Sequence, residues 1–290
     1  NLKVGEDPRR ADRVLSTMSI NTRHGISQGA LLVQPTQVGM FDPSFRLTNV
    51  FRVVAASEMD GILPARKPRT FDSPLSGYAA IAQLGVQRHG YGPNRATWRP
   101  LLSSYDRKGR PRGPVGGLVR HYDGTFKGSS WAMFGADNAD LFKVGDDEAC
   151  GWAASVFDLL LSRRFLHDTT AEYACYRPGE RMKLRTNVAN GSASETQCEV
   201  RFTLTDERGR AFRSETVRMV ARAGTDEPAA VEIPVDEATP DYLVMTAELR
   251  CDGKLLDRDR SAVVVWNDSV IAGGPEVRCD GTCISIGGER

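Results

Sequence analysis

Proton transfer near neutral pH calls first on histidine, and the sequence carries four: His24, His89, His121 and His167. No two of them sit at metal-ligand spacing, so each reads first as a hydrogen-bonded structural or surface residue. His121, in VRHYDG, has the neighbours best suited to chemistry, Tyr122 and Asp123. A loop base assisted by a carboxylate would use that trio, and a strand residue meeting a turn is the simpler account. Nucleophilic catalysis needs a serine or cysteine on a sharp turn beside a base. Ser129 and Ser130, in GSSW, lack the G-x-S-x-G spacing, and the first cysteine, Cys150, falls inside an amphipathic run. Glu58 and Asp60 resemble an acid pair, and a loop opening at MDG explains them equally. No catalytic residue is assigned. Trp98, Trp131, Tyr91 and Tyr122 could offer aromatic faces to a sugar, but aromatics bury large areas and are more often core. Trp131 lies in an apolar run and is assigned to the core; Trp98, between Arg95 and Arg99, is the better surface candidate. The binding candidates are therefore Trp98, His121 and Tyr122.

The six cysteines are Cys150, Cys175, Cys198, Cys251, Cys279 and Cys283. They form no C-x-x-C pair with histidines at zinc spacing, so no metal and no cofactor is expected. Cys279 and Cys283 flank DGT, either as a bridge across a small hairpin or as two free thiols. The 38 basic residues are offset by 37 acidic ones, for a formal net charge of +1. That balance argues against a nucleic-acid partner, which calls for a basic excess on one face. The basic stretch DRKGRPRG (106–113) reads as a solvated loop. No run approaches the roughly 18 apolar residues of a membrane span, so no membrane partner is expected either. The charged N-terminal stretch has no signal-peptide apolar region and no initiating Met; it reads as a processed chain or a piece of something larger.

These side chains must be held by elements, and the pattern changes along the chain. Up to about residue 135 the sequence is loop-rich. Its short apolar runs (Ala30–Val33, Val50–Ala56, Gly117–Tyr122, Ser129–Gly135) are strand candidates between Gly- and Pro-rich turns; Gly77–Gly85 fits a strand or a short helix. Ala149, Trp152, Ala153, Val156, Leu159 and Leu160 then recur at helical spacing over about 147–164. Asp146 is placed to cap the amino end, with Arg163 and Arg164 in the last turn. After His167 the period switches to two: Cys198, Val200, Phe202 and Leu204 alternate with polar residues, as do Leu243, Met245, Ala247, Leu249 and Cys251. About seven such strands in about 100 residues signal an immunoglobulin-like β-sandwich. Tyr242 occupies a corner-tyrosine position. Cys198 and Cys251 face inward as an inter-sheet disulfide or as two small buried apolar groups.

EYACYRPGERMKLRTNVANGS resembles the opening of Ig-like modules in large bacterial multidomain proteins, and PDYLVMTAELRCDGKLLDRDRSAVVVW their closing strands. The stretch from Thr97 to Phe142 and the helix after it look like the end of an α/β domain of the glutamine-amidotransferase kind. Such domains accompany Ig-like modules in glycoside hydrolases similar to β-galactosidases, and VRCDGTCISIGGER resembles the hairpin leading into a glycosidase barrel. The expected architecture is therefore mixed α/β plus all-β: a partial, loop-rich α/β domain over 1–168, an Ig-like sandwich over 169–268 and a hairpin or linker over 269–290. The resemblance implies a non-catalytic accessory segment of a secreted glycoside-hydrolase-like protein, extracellular or periplasmic, with the catalytic barrel outside this chain. Its partner would be carbohydrate or an adjoining catalytic domain. A carbohydrate- or protein-binding module, and a hydrolase with its site in the amino-terminal half, are the alternatives.

Overall fold

The structure, a computed structural model, describes residues 39–82, 96–124, 127–135, 139–142, 145–266, 272–273, 277–280 and 283–286. The strand candidate Ala30–Val33, the end of Gly77–Gly85, and His24, His89 and Tyr91 lie outside them.

The expected α/β domain is overturned. Strands β1 (Gly39–Ala55), β2 (Arg69–Ala82), β3 (Ala96–Tyr105), β4 (Pro111–His121) and β5 (Ser130–Phe134) form one five-stranded sheet in the order β2-β1-β3-β4-β5. Each neighbouring pair in it is antiparallel. A parallel sheet needs a crossover, usually helical, between neighbouring strands, and here β1 with β2, β3 with β4 and β4 with β5 pair directly as antiparallel neighbours. The stretch read as loop hides strands because its glycines and prolines sit inside them. Register shifts on β3 and β4 fall between Pro100 and Leu102 and around Ser103–Tyr105, and Pro114 is paired opposite Ser103. Gly116 pairs with Phe134, and a Cβ there would come within 2.9 Å of the Phe134 ring. Glycine is what lets that aromatic lie on the strand.

DRKGRPRG divides between a hairpin turn and β4. Asp106 Oδ1 accepts the Lys108 and Arg110 amides at 2.8 and 2.9 Å. DERGR builds the same turn, with Asp206 Oδ1 accepting the Arg208 and Arg210 amides at 3.0 and 2.9 Å. Aspartate replaces missing strand partners at a tight corner in both.

The helix α1 spans Asp147–Ser162, and Asp146 Oδ1 accepts the Ala149 amide at 3.0 Å. Asp146 Oδ2 also meets Arg69 Nη1 of β2 at 2.5 Å. The Ala149 amide and then Arg69 hold its carboxyl below the usual range. Ala149, Trp152, Val156 and Leu159 are buried, and Trp152, Val156 and Leu159 join Val50, Leu101, Leu102 and Leu118 in one core. The helix thus covers the five-stranded sheet, as its apolar stripe requires. It stops about two residues earlier than the spacing suggests, at Ser162: Arg163 is left-handed (φ 50°) and Arg164 starts the next strand.

Beyond the helix, β6 (Arg164–Ala171), β8 (Arg181–Asn190) and β11 (Thr225–Pro234) make a three-stranded sheet in the order β11-β8-β6. Facing it, β7 (Cys175–Tyr176), β9 (Thr196–Thr205), β10 (Ala211–Ala221), β12 (Tyr242–Cys251) and β13 (Lys254–Val265) make a sheet ordered β10-β9-β12-β13-β7. The two sheets share a core of Leu184, Val188, Val200, Phe202, Leu204, Met245, Ala247 and Leu249, so this part is a β-sandwich. The strands β14 (Val277–Asp280) and β15 (Cys283–Ile286) pair antiparallel.

Four local features complete the sandwich. In RPGE, Gly179 has φ 92° and the Glu180 amide bonds the Arg177 carbonyl at 3.1 Å. Proline then glycine at the two central positions is the demand of a tight turn with one left-handed residue. Asn190, fully buried, donates to the Ser194 and Ala221 carbonyls and accepts from Ser192, stapling two loops. Tyr242, however, is 44% exposed and is no buried corner. Cys198 and Cys251 are joined in a disulfide, but they are register partners on the adjacent strands β9 and β12, with Cα atoms 4.4 Å apart. The bond is within one sheet rather than between sheets.

Phe202→Ala, which empties the sandwich centre, should cost about 3–5 kcal/mol of unfolding free energy in urea titration. Val220→Ala on the outer face of β10, 41% exposed, should change it by less than about 0.5 kcal/mol.

Candidate functional site

Period-two alternation along β13 aims Asp257 and Asp259 toward the inside of the sandwich, opposite Leu249 and Ala247. Carboxylates there need partners, because an unpaired buried charge is costly. The partners come from the five-stranded sheet. Arg99 of β3 and Arg120 of β4 occupy the same face, as the pairings Thr97 with Arg120 and Arg99 with Leu118 require. Arg120 Nη1 lies 3.2 Å from Asp257 Oδ2, and Arg99 Nε lies 3.6 Å from Asp257 Oδ1. Arg99 Nη2 meets Asp259 Oδ1 at 3.1 Å, and its Nε donates to the Arg258 carbonyl at 2.9 Å. Asp257 Oδ2 also accepts the Leu166 amide of β6 at 2.8 Å. One carboxylate, 1% exposed, therefore binds both sandwich sheets and the outer sheet together. Burial lowers the Arg120 guanidinium from its usual value, and Asp257 opposes that shift. Arg120 also sits 5.5 Å over the Phe165 ring.

A second polar group adjoins the clamp. The Tyr122 ring stacks on His167, with centroids 4.0 Å apart and planes 15° apart. The Tyr122 hydroxyl donates to Asp168 Oδ1 at 2.9 Å, and Asp168 Oδ2 lies 3.0 Å from His167 Nδ1. On its other side His167 Nε2 is 3.6 Å from Asp226 Oδ1, and Lys127 Nζ is 3.4 Å from Asp226 Oδ2. Asp168 is left-handed (φ 53°) where the pairing of β6 with β8 shifts register, a bulge that re-aims its carboxylate. The hydrogen bond from His167 holds the Asp168 carboxyl below its usual range, while burial, and then the Asp168 bond, pushes the Tyr122 phenol upward. Tyr122 is thus a hydrogen-bond donor that keeps its proton, and His167 is oriented between two carboxylates.

The structure brings His121 and Tyr122 together around a cavity of about 40 Å³, lined also by Ser130, Phe165, Asn190 and Asp226. That volume holds water molecules; ligand pockets run from about 300 Å³. His121 and Tyr122 are 0% and 8% exposed and present no open aromatic face. Trp98 is partly buried, on the strand face opposite Arg99. Trp131 is partly buried too and donates through Nε1 to Ser129 Oγ at 3.0 Å. Glu58 and Asp60 belong to the short turn after β1: Glu58 accepts from Ser57, and the Asp60 carbonyl accepts from Arg258 at 3.2 Å. Asp123 is exposed. A larger cavity of about 310 Å³ lies between α1 and the β12–β13 hairpin, lined by Ile62, Leu63, Ser155, Asp158, Lys254 and Leu255. The hydroxyls of Ser155 and Ser162 there donate to helix carbonyls, leaving Asp158 and Lys254 as its charged groups. Among the described residues no group of three or more His, Cys, Asp or Glu side chains is arranged to hold a metal. No described helix is long and apolar enough to cross a membrane.

The clamp residues were not singled out from sequence, although a signal existed. In LLDRDRSAVVVW the inward positions run Asp257, Asp259, Ser261, Val263, Val265, while Leu255 joins the outer-sheet core. Acids on an otherwise apolar face mark a place where another layer supplies cations.

The chain matches no protein-family model and no curated protein. Similarity to solved structures is partial. A Bacteroides uniformis β-glucuronidase aligns over 44% of this chain and 16% of its own at 16% identity, TM-score 0.30. A β-glucuronidase of glycoside hydrolase family 2 aligns over 43% of this chain and 13% of its own at 10% identity, TM-score 0.29. A sporulation control protein from Bacillus subtilis aligns over 40% of this chain and 58% of its own at 12% identity, TM-score 0.28. This chain spans less than two thirds of each. An antiparallel five-stranded sheet stands where the amidotransferase-like domain was expected.

Two measurements check the polar junction. Asp257→Asn leaves two buried guanidinium groups short of a counter-charge and should cost about 3–5 kcal/mol of unfolding free energy. His121 is held from 6.5 down to about 4 by burial. Its folded value lies below its unfolded value, so the unfolded chain takes the proton first as pH falls. The stabilisation from the neutral ring is complete above about pH 6.5 and is lost as pH drops through about 4. Replacing His121 with Gln should remove a one-proton slope from the stability profile in that window and leave the slope above pH 7 unchanged.

Proposed function

We propose that the chain is a non-catalytic accessory segment of a secreted, multidomain glycoside-hydrolase-like protein. In it an Ig-like sandwich and a five-stranded sheet act as one rigid spacer beside a catalytic domain. The observation that carries this reading is the Asp257 clamp. Its four charged side chains, Arg99, Arg120, Asp257 and Asp259, neutralise one another at the seam between layers. Charges so engaged fix geometry and are poorly placed to attack or protonate a substrate. The resemblance of the Tyr176–Glu180 turn and its following strands to Ig-like modules of such proteins supports the same reading. The Cys198–Cys251 disulfide fits an oxidising compartment, extracellular or periplasmic. An adjoining catalytic domain, or the carbohydrate it acts on, is the partner this arrangement suits.

The test has two arms on the full 290-residue chain. Incubated with a panel of aryl glycosides and with glutamine, it should give no turnover. Turnover abolished by Glu58→Gln, Asp60→Asn or Asp123→Asn would replace the spacer with a hydrolase. In limited proteolysis the segment from β4 to β6 should resist cutting in the wild type and become sensitive in Asp257→Asn. Equal sensitivity of the two would show that the clamp does not set rigidity.

A further inference from the structure

The cavity of about 310 Å³ lies where the two cores meet. Of its wall, Leu159 and Leu255 belong to the core under the outer sheet and Leu256 to the sandwich core. Ile62, Leu63, Leu159, Leu255 and Leu256 each keep 5–8% of their surface open, whereas Leu101, Leu102 and Leu118 keep 0–1%. The aliphatic side chains are thus left uncovered at this seam while the centre of the sheet is closed. The exposed residues Gly61, Pro64, Asp158 and Lys254 mark the mouth. Apolar walls with a few polar groups, at a junction of layers, are the setting of small-molecule sites. Among the described residues no aromatic ring lines it, so it offers no platform to the face of a sugar.

The polar groups are divided by element. On α1, Ser155 Oγ donates to the Gly151 carbonyl at 3.0 Å and Ser162 Oγ to the Leu159 carbonyl at 2.9 Å. With their protons engaged by the backbone, these hydroxyls have lone pairs left to offer. Asp158 stands between them in sequence, and Leu159–Ser162 is the last turn, the negative pole of the helix. The α1 side is therefore made of acceptors. The hairpin side carries one charge, Lys254, which opens β13. Among the described residues neither Asp158 nor Lys254 has an ion-pair partner. Arg163, next along the chain from Ser162, packs against Gly191 and lines the smaller cavity instead.

We propose that this cavity binds a small zwitterion with an aliphatic body, of the size of an apolar amino acid or dipeptide. Its ammonium group meets Asp158 and the serine oxygens, its carboxylate meets Lys254, and its body covers Ile62, Leu63, Leu255 and Leu256. Charge complementarity selects this class. A simple cation would leave Lys254 unanswered, and a simple anion would meet Asp158 and the negative end of the helix. The site is independent of the spacer role proposed above, since none of the clamp residues lines it.

The probe is L-leucyl-L-leucine, titrated into the full 290-residue chain and followed by the methyl NMR signals of Ile62, Leu63, Leu159 and Leu255. These signals should shift saturably. N-acetyl-leucyl-leucine lacks the ammonium group and leucyl-leucinamide lacks the carboxylate. Each should bind about tenfold more weakly, the loss of one charge-assisted contact. Asp158→Asn should erase the preference over the N-acetyl form and keep the preference over the amide. Lys254→Gln should do the reverse. Both residues are exposed, so an unchanged Tm confirms that the variants fold. Absence of saturable shifts, equal affinity for the three probes, or variants that discriminate among them as the wild type does overturns the proposal.

Discussion

A buried carboxylate, Asp257, is the constraint on which the two halves of this protein depend. It occupies an inward position of the last sandwich strand, opposite Leu249, and receives Arg120, Arg99 and the Leu166 amide. Replacing such a cluster with apolar groups of the same shape is often neutral or stabilising, because ion pairs recover little beyond their desolvation cost. Apolar contacts, however, do not fix one orientation. Two forked guanidinium groups meeting two carboxylates do, and so the clamp dictates how the outer sheet sits at the open edge between β6 and β13. Leu255, the second residue of the same strand, is buried among the outer-sheet core residues, so packing and charge act on one seam.

Around that seam, short polar side chains do the positioning. Asp106 and Asp206 close equivalent hairpin corners on different sheets by accepting two amides each. Asn190 satisfies carbonyls of two loops at once, and Asp146 caps α1 while holding Arg69 of the sheet it covers. Each of these residues supplies backbone partners where a strand or helix ends, which is where unsatisfied groups collect. The order of the β-layers follows from these corners as much as from the apolar pattern.

His121, Tyr122 and His167 show how chemically capable residues become structural. His121 is neutral at physiological pH because it is buried, and Tyr122 keeps its proton because burial and the Asp168 bond both favour the phenol. Their cavity of about 40 Å³ admits water but not a sugar ring. The histidines sit at a junction between layers, and their chemistry there is hydrogen bonding and orientation.

The sequence by itself determined the elements whose signal is local. Alternation in Cys198–Leu204 and Leu243–Cys251 placed their apolar faces in the sandwich core, and the 3.6 period of Trp152, Val156 and Leu159 set the helix. Period and turn chemistry depend on a few neighbouring residues, so they can be read without coordinates. The five-stranded sheet could not be read that way. Its strands carry Pro100, Pro114 and Gly116, which look like loop residues until Phe134 is seen lying over Gly116 and the bulges are seen absorbing the prolines. That the Cys198–Cys251 bond lies within one sheet was decided by strand order, which alternation does not encode. The clamp was the least legible feature, since Arg99 and Arg120 lie far along the chain from Asp257. Only tertiary packing brings these three charges together, because the energy that pairs them exists only once water has been excluded from between the layers.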